Sequence, residues 1–245
     1  MHGRSCAGLH GCVGESIHVR HMSIGSKMDS MIDFERARAN MVESQLRTSG
    51  VFDARVLARM LTVPREIFVP AARRDMAYVD DVQWLSAGRF MAPPAILGKL
   101  LQLAEITSND VVLDVGAGTG YSTAVIAGLA ASVIGLERDA ALAETANANL
   151  AALDVANATV VSADIGEIDR QHFDVIFMQG SLDSVPHNYL SALADGGRLV
   201  TLVQTGGVGV ANVMVKSAGE VSARAEFNAV LPPLFPAENN EEFVF

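Results

Sequence analysis

Val111–Ala127 reads VVLDVGAGTGYSTAVIA. Its first five residues, four of them branched and apolar, make a run of the right length for a buried strand. Three glycines at alternate positions, Gly116, Gly118 and Gly120, follow at once, and Tyr121 to Leu129 then reads as a helix. A strand, a glycine turn and a helix in immediate succession open a βαβ unit. Glycines so spaced let the backbone turn sharply and let a ligand approach with no Cβ in the way. The N–H groups at the start of the helix then lie beside that ligand.

Downstream the alternation continues. SVIGLE (Ser132–Glu137), ATVVSAD (Ala158–Asp164), FDVIFMQ (Phe173–Gln179) and RLVTLV (Arg198–Val203) read as strands. Between them lie an Ala-rich helix over Ala140–Leu153, a helix around Asn188–Ala194 and a turn at Gly196-Gly197. Strands separated by helices of this length predict a Rossmann-like α/β fold, a doubly wound and mostly parallel sheet. Val208–Lys216 and Val221–Val230 flank Ser217-Ala218-Gly219-Glu220, which predicts a C-terminal antiparallel hairpin at the sheet edge. No internal repeat is present.

Upstream, Phe34, Ala37, Met41 and Leu46 keep helical spacing, as do Val51, Val56, Leu57 and Met60 after a break at Ser49-Gly50. Asp53 is placed to cap the second helix, and Val63-Pro64-Arg65-Glu66 reads as an end and a restart. Ala95–Ala104 is an amphipathic helix that runs to the turn signal Asn109-Asp110. The expected organisation is a leader over residues 1–30, a helical cap and substrate segment over 31–94, and a cofactor-binding domain over 95–245.

The leader holds both cysteines, Cys6 and Cys12, and four of the six histidines, but in no spacing that zinc sites use. It carries no apolar run that would make a secretory signal, and Met22, Met28 and Met31 each offer a later start. It is expected to lie outside the fold and to bind no metal. The 245 residues are half apolar, with 18 basic and 28 acidic side chains and a net charge of −10. That excludes a disordered chain and offers no electrostatic handle for nucleic acid or an anionic membrane. Two cysteines make no disulfide framework, so a cytoplasmic, reducing setting is expected. The uncharged run Val115–Leu136 is long enough to span a bilayer, but five glycines break it into strand, turn and helix.

Glu137 ends the second strand, 21 residues after Gly116, where a carboxylate can accept from both hydroxyls of a ribose. A dinucleotide site would want its third glycine at position 121, which is Tyr121. The pattern here is G-x-G-x-G with Asp114 two residues before it. An acid there suits a positively charged ligand better than a pyrophosphate. S-adenosylmethionine, a sulfonium bearing an ammonium, meets that requirement, with Asp114 holding the ammonium directly or through water. A glycine turn with no ligand is the plain alternative; Glu137 and Asp164 at successive strand ends weigh against it.

With these residues in place, the chain resembles the class I S-adenosylmethionine methyltransferases, and more narrowly the protein-L-isoaspartate O-methyltransferase family. The resemblance runs from Met31 to Val203. It is carried by MVESQLRTSGVFD (Met41–Asp53), VLARMLTVPREIFVP (Val56–Pro70), AYVD (Ala77–Asp80), the glycine stretch and DGGRLV (Asp195–Val200). The VPRE-x-FVP and AYVD segments are far more specific than the glycines, which the whole superfamily shares. The resemblance implies that Gly116, Gly118 and Gly120 line the methionine part of the cofactor, with Tyr121 beside them. It implies that Glu137 and Arg138 meet the ribose and adenine, and that Asp164 and Ile165 flank the adenine. It further implies a protein or peptide substrate with isoaspartyl residues, S-adenosylhomocysteine as product, and no nucleic-acid or membrane partner.

One stretch departs from the family. Where the family has a G-Q-T-I-S-Q-P-like segment with hydroxyls near the isoaspartyl carboxylate, this chain has Gly88-Arg89-Phe90-Met91-Ala92-Pro93-Pro94. Phe90 stands at the Thr position and Ala92 at the Ser position, so no catalytic residue is assigned. The run after the third strand, Asp164-Ile165-Gly166-Glu167, is altered as well. A carboxylate needs no general base at neutral pH, so lost hydroxyls cost orientation rather than chemistry. Arg89 can replace them through a charge-assisted contact to a substrate carboxylate, or can pair with Asp80 or Asp81 at the surface. Trp84 is expected to be a core aromatic, and His172 and His187 to be structural. Two further readings stay open: a methyltransferase of the same family with a different protein or small-molecule acceptor, and a binder of the cofactor without turnover. A nicotinamide dehydrogenase is disfavoured by Tyr121.

Overall fold

The structure, a computed structural model, describes residues 33–86, 88–168 and 172–235. The leader and the expectations placed on it lie outside the described residues.

Asp33 accepts the Arg36 amide at 3.0 Å and opens α1 (Phe34–Met41), which runs on into a π-helical turn over Val42–Leu46. Ser49 and Gly50 end it, as their spacing predicts. Asp53 caps α2 (Ala54–Thr62), accepting the amides of Arg55 at 2.8 Å and Val56 at 3.4 Å. Val56, Leu57 and Met60 bury the inward stripe of that helix. It stops at Val63 because Pro64 forces the preceding residue out of helical geometry, and a 3-10 turn over Arg65–Phe68 follows.

A short antiparallel hairpin comes next, β1 (Gln83–Ser86) and β2 (Arg89–Met91), which the sequence pattern does not reveal. It carries Arg89 and Phe90. Trp84 is 44% exposed, with its ring edge-on to Phe90 at 5.9 Å, so it is not the core aromatic its composition suggests; Phe90, 5% exposed, takes that place. Pro94 then starts α3 (Pro94–Ala104), where its missing N–H costs nothing.

Seven further strands form one sheet. They are β3 (Val111–Val115), β4 (Ser132–Leu136), β5 (Ala158–Val161), β6 (Phe173–Leu182), β7 (Leu193–Thr205), β8 (Val208–Ser217) and β9 (Glu220–Ala229). Their order is β5-β4-β3-β6-β7-β8-β9. β3 to β7 are parallel, and β8 and β9 return antiparallel as the C-terminal hairpin. The helices α4 (Tyr121–Ala127), α5 (Ala140–Ala152) and α6 (His187–Ala192) make the connections. The third strand stops at Val161, leaving Asp164 in a loop. β7 begins at Leu193, which pairs with Phe173, five residues before the run that marks it in the sequence.

Successive residues of the central strands face opposite layers. Val112, Val175 and Val200 join the core beneath α2, α3 and α4, while Leu113, Ile176 and Leu199 join the core that holds Tyr189 and Leu234. Both faces are buried, as parallel sheets require. Strand order reverses at β3, so the carboxyl ends of β3, β4 and β6 flank one crevice, the place where such sheets bind ligands. Among the described residues no helix is long and apolar enough to cross a membrane.

Candidate active site

The glycine turn sits at the end of β3 with φ of +85° at Gly116, +57° at Gly118 and +93° at Gly120, conformations that strain any L side chain. Its amides are less free than the motif suggests. Gly116 and Ala117 both donate to the Leu136 carbonyl, at 2.9 and 3.0 Å. Gly118 donates to Glu137 Oε2 at 2.8 Å, and Gly120 to the Ala117 carbonyl at 2.8 Å. What the turn offers a ligand is bare backbone rather than a ring of open donors. Even that is divided. A Cβ on Gly120 would lie 3.1 Å from Ala146 of α5, so this glycine serves helix packing; one on Gly118 would lie 2.7 Å from Leu85 of β1. Gly116 alone of the three faces the crevice.

Asp114 and Tyr121 are both buried and engaged by the protein itself. Asp114 is fully buried and accepts from Ser122 Oγ and Thr123 Oγ1 at 2.6 Å each and from Gln179 Nε2 at 2.7 Å. Burial pushes its pKa up to about 6 against the pull of those three donors. It ties the start of α4 to β3 and β6. The Tyr121 ring is buried against Phe68 at 5.4 Å, with the Arg65 guanidinium 4.8 Å over it, between cap and sheet.

Glu137, 1% exposed, lies just past β4. Its Oε1 accepts the Asp139 amide at 3.0 Å, and its Oε2 accepts both the Gly118 amide and Arg89 Nη2, the latter at 2.5 Å. Arg89 is therefore paired neither with Asp80 nor with Asp81. Asp80 instead accepts the Ala95 amide at 2.9 Å. The second arm of Arg89, Nη1, donates to the Leu234 carbonyl at 3.1 Å. Arg138 donates to Asp164 at 2.8 Å near the surface, and its guanidinium lies 4.5 Å over the Phe235 ring. Ile165 is buried in the 3-10 turn Ile165–Glu167.

The structure thus brings Arg89, Gly116, Glu137, Arg138 and Asp164 together and sets Asp114, Gly120, Tyr121 and Ile165 apart. Leu234 and Phe235 complete the crevice, and nothing local marks them: the tail after β9 reads only as a proline-broken end. Between Gly116 and Leu234 the space left is about 10 Å3, no more than one water fills, and an open recess of about 360 Å3 lies beside it over Arg138, Ser162, Asp164 and Glu167. His172 and His187 line a separate cavity of about 620 Å3 with Ile165 and Phe173.

The substrate-side stretch is held from below. Arg65 is fully buried; its Nε donates to the Ala77 carbonyl and its Nη2 to the Ala92 carbonyl, both at 2.7 Å. Burial lowers its pKa. Tyr78 Oη donates to Glu66 and accepts from Arg38 Nε at 2.9 Å. VPRE and AYVD, the most distinctive segments of the chain, are therefore the frame that fixes Phe90 to Pro94 in space. The Ala92 side chain is buried.

Comparison with known proteins gives the chain's relatives. A family model described as protein-L-isoaspartate(D-aspartate) O-methyltransferase matches residues 36–238. The chain is 38% identical over 190 residues to the protein-L-isoaspartate O-methyltransferase of Koribacter versatilis, covering 77% of this chain and 86% of that one. It is 40% identical over 167 residues to that of Methylorubrum populi, covering 68% and 79%. Among solved structures, a Plasmodium falciparum chain described as a protein-L-isoaspartate O-methyltransferase, in complex with S-adenosyl-L-homocysteine, superposes with a TM-score of 0.70 at 21% identity. It covers 82% of this chain and 98% of its own.

Proposed function

The chain belongs to the protein-L-isoaspartate(D-aspartate) O-methyltransferase family, and on that premise we propose how its own residues serve methyl transfer to an isoaspartyl carboxylate. The observation that carries the reading is the place of Glu137, at the end of β4 with one oxygen on the glycine turn. There its carboxylate, held by Gly118 and Arg89, would accept from the hydroxyls of an adenosyl ribose in exchange for Arg89, and Gly116 would offer a face with no Cβ to the amino-acid part of the donor once Leu234 gives way. Asp164, with Arg138, stands at the mouth for the adenine.

S-adenosylmethionine, when bound, supplies an electrophilic methyl on sulfur. The chain's task is to bring a carboxylate oxygen in line with it and to keep water out. No proton has to be removed from the nucleophile, because a carboxylic acid with a pKa near 4 is ionised at neutral pH. The β1–β2 hairpin borders this space, and Arg89 is its cation, able to meet the acceptor's carboxylate. Cytoplasmic protein repair is the setting this reading implies.

A second reading has its own observation. Phe90 and Ala92 are buried and apolar where the family places hydroxyls, which favours an acceptor other than an isoaspartyl peptide. Incubation of the full-length protein with methyl-labelled donor and an isoaspartyl peptide, with the aspartyl peptide as control, separates the two. Base-labile label on the isoaspartyl peptide alone supports the first reading. Donor binding without label on either peptide supports the second.

A further inference from the structure

We propose that Leu231–Phe235 and Arg89 form a clasp in the methyl-donor crevice, so that clasp and donor exclude one another. The inference rests on the reading of that crevice given above. Two positions without a Cβ face it, Gly116 and Gly180, and Leu234 covers both. A Cβ on Gly116 would lie 2.6 Å from Leu234 Cδ1, and one on Gly180 would lie 2.7 Å from Leu234 Cα and Cβ. The surface that glycine leaves open for close approach is approached by this leucine.

The backbone of the segment is docked as well. The Ser181 amide donates to the Pro232 carbonyl at 3.0 Å, and the Leu234 amide donates to the Ser181 carbonyl at 2.9 Å. The Phe235 ring stacks on Tyr189 at 6.3 Å with Arg138 above it. Arg89 closes the arrangement from the other side, one arm on the Leu234 carbonyl and one on Glu137. A ligand of nucleoside-plus-amino-acid size needs a pocket of several hundred Å3. The open recess over Arg138 and Asp164 can take one end of it, but with about 10 Å3 left between Gly116 and Leu234 the rest enters only if Leu234 and Phe235 leave.

The hold is of a kind that can be released. The segment follows β9, the edge strand of the sheet, and its two prolines contribute no N–H; Leu231 anchors its start in the core, and beyond that anchor two backbone hydrogen bonds, the Arg89 contact and the side chains of Leu234 and Phe235 keep it in place. Ribose hydroxyls arriving at Glu137 displace the guanidinium from one end while the tail's departure removes its other partner. Arg89, freed of both contacts, is then an available cation beside the donor. Donor binding therefore precedes acceptor binding, because the carboxylate's receptor is released only by the donor.

Amide hydrogen exchange on the full-length protein tests this. The Ser181 and Leu234 amides are expected to be protected in the free protein and to lose protection at saturating S-adenosylhomocysteine; protection retained with the product bound would overturn the clasp. Calorimetric titration gives a second readout. The double variant Leu234→Ala, Phe235→Ala should bind S-adenosylhomocysteine at least tenfold more tightly than the unaltered chain. Equal or weaker binding by the double variant overturns the clasp and leaves the donor reading standing. No heat from either protein, on folded material, overturns both. Should the double variant fail to fold, exchange on the unaltered protein decides.

Discussion

Arg89 and Glu137, 48 residues apart, meet at 2.5 Å with the carboxylate fully out of solvent and the guanidinium nearly so. The pair joins the substrate-side hairpin to the floor of the crevice. Removing one member of a buried pair leaves the other uncompensated, a loss of about 3 kcal/mol or more. Arg89→Ala is therefore expected to lower the melting temperature of the free protein, yet to show a larger upward shift than the unaltered chain when S-adenosylhomocysteine is added. Turnover should fall while product affinity holds or rises. Affinity and turnover falling together would contradict the role given to this residue.

Asp114 gives a pH signature. Its pKa is about 6 in the fold against 3.8 for the free group, so between these values the native state holds the proton that the unfolded chain has lost. That contribution is complete below pH 4 and is lost as pH rises through 6. Asp114→Asn cannot ionise and lacks the slope. Denaturant midpoints taken at pH 4.5 and pH 7 should show the stability gap between the two proteins changing in the variant's favour by about 2 kcal/mol. Parallel pH profiles would contradict it.

Arg65 is the post under the substrate segment. Arg65→Met keeps the bulk but leaves the Ala77 and Ala92 carbonyls without their buried donor, each at a cost of about 1–3 kcal/mol. The variant should melt earlier, and among molecules that remain folded KM for a peptide acceptor should rise more than affinity for S-adenosylhomocysteine falls. An unchanged KM would mean that Arg65 serves stability alone.

Ala92→Ser restores one hydroxyl of the family pattern. If isoaspartyl recognition is only weakened here, a regained hydrogen bond of about 1 kcal/mol should raise kcat/KM for an isoaspartyl peptide about fivefold. No gain would favour the reading with a different acceptor.

The central parallel strands were legible because they carry continuous apolar runs bounded by turns, a pattern that two-sided burial imposes, whereas β8 and β9 were marked only by the turn between them. The site was legible only where position along a strand determines place in space: Glu137 past β4, Gly116 past β3, Asp164 past β5. The spacing that aims Asp114 at a ligand also aims it at Ser122, Thr123 and Gln179, and no local signal foretells those three bonds. Arg89 went to Glu137, and Leu234 to Gly116, through contacts across 48 and more than a hundred residues. Such contacts are set by how the hairpin and the tail fold back over the sheet, which no window of sequence contains. VPRE-x-FVP and AYVD stood out as family marks, and in the fold Arg65 and Asp80 from them hold Ala77, Ala92 and the start of α3 in place.

Calorimetric titration of the full-length protein with S-adenosylhomocysteine, set beside the same titration of Glu137→Gln, goes to the centre of this account. The unaltered chain should bind one equivalent, and the variant, short of one ribose acceptor, should bind at least tenfold more weakly. Absence of heat from the folded unaltered chain, or equal affinity in the two proteins, would contradict it.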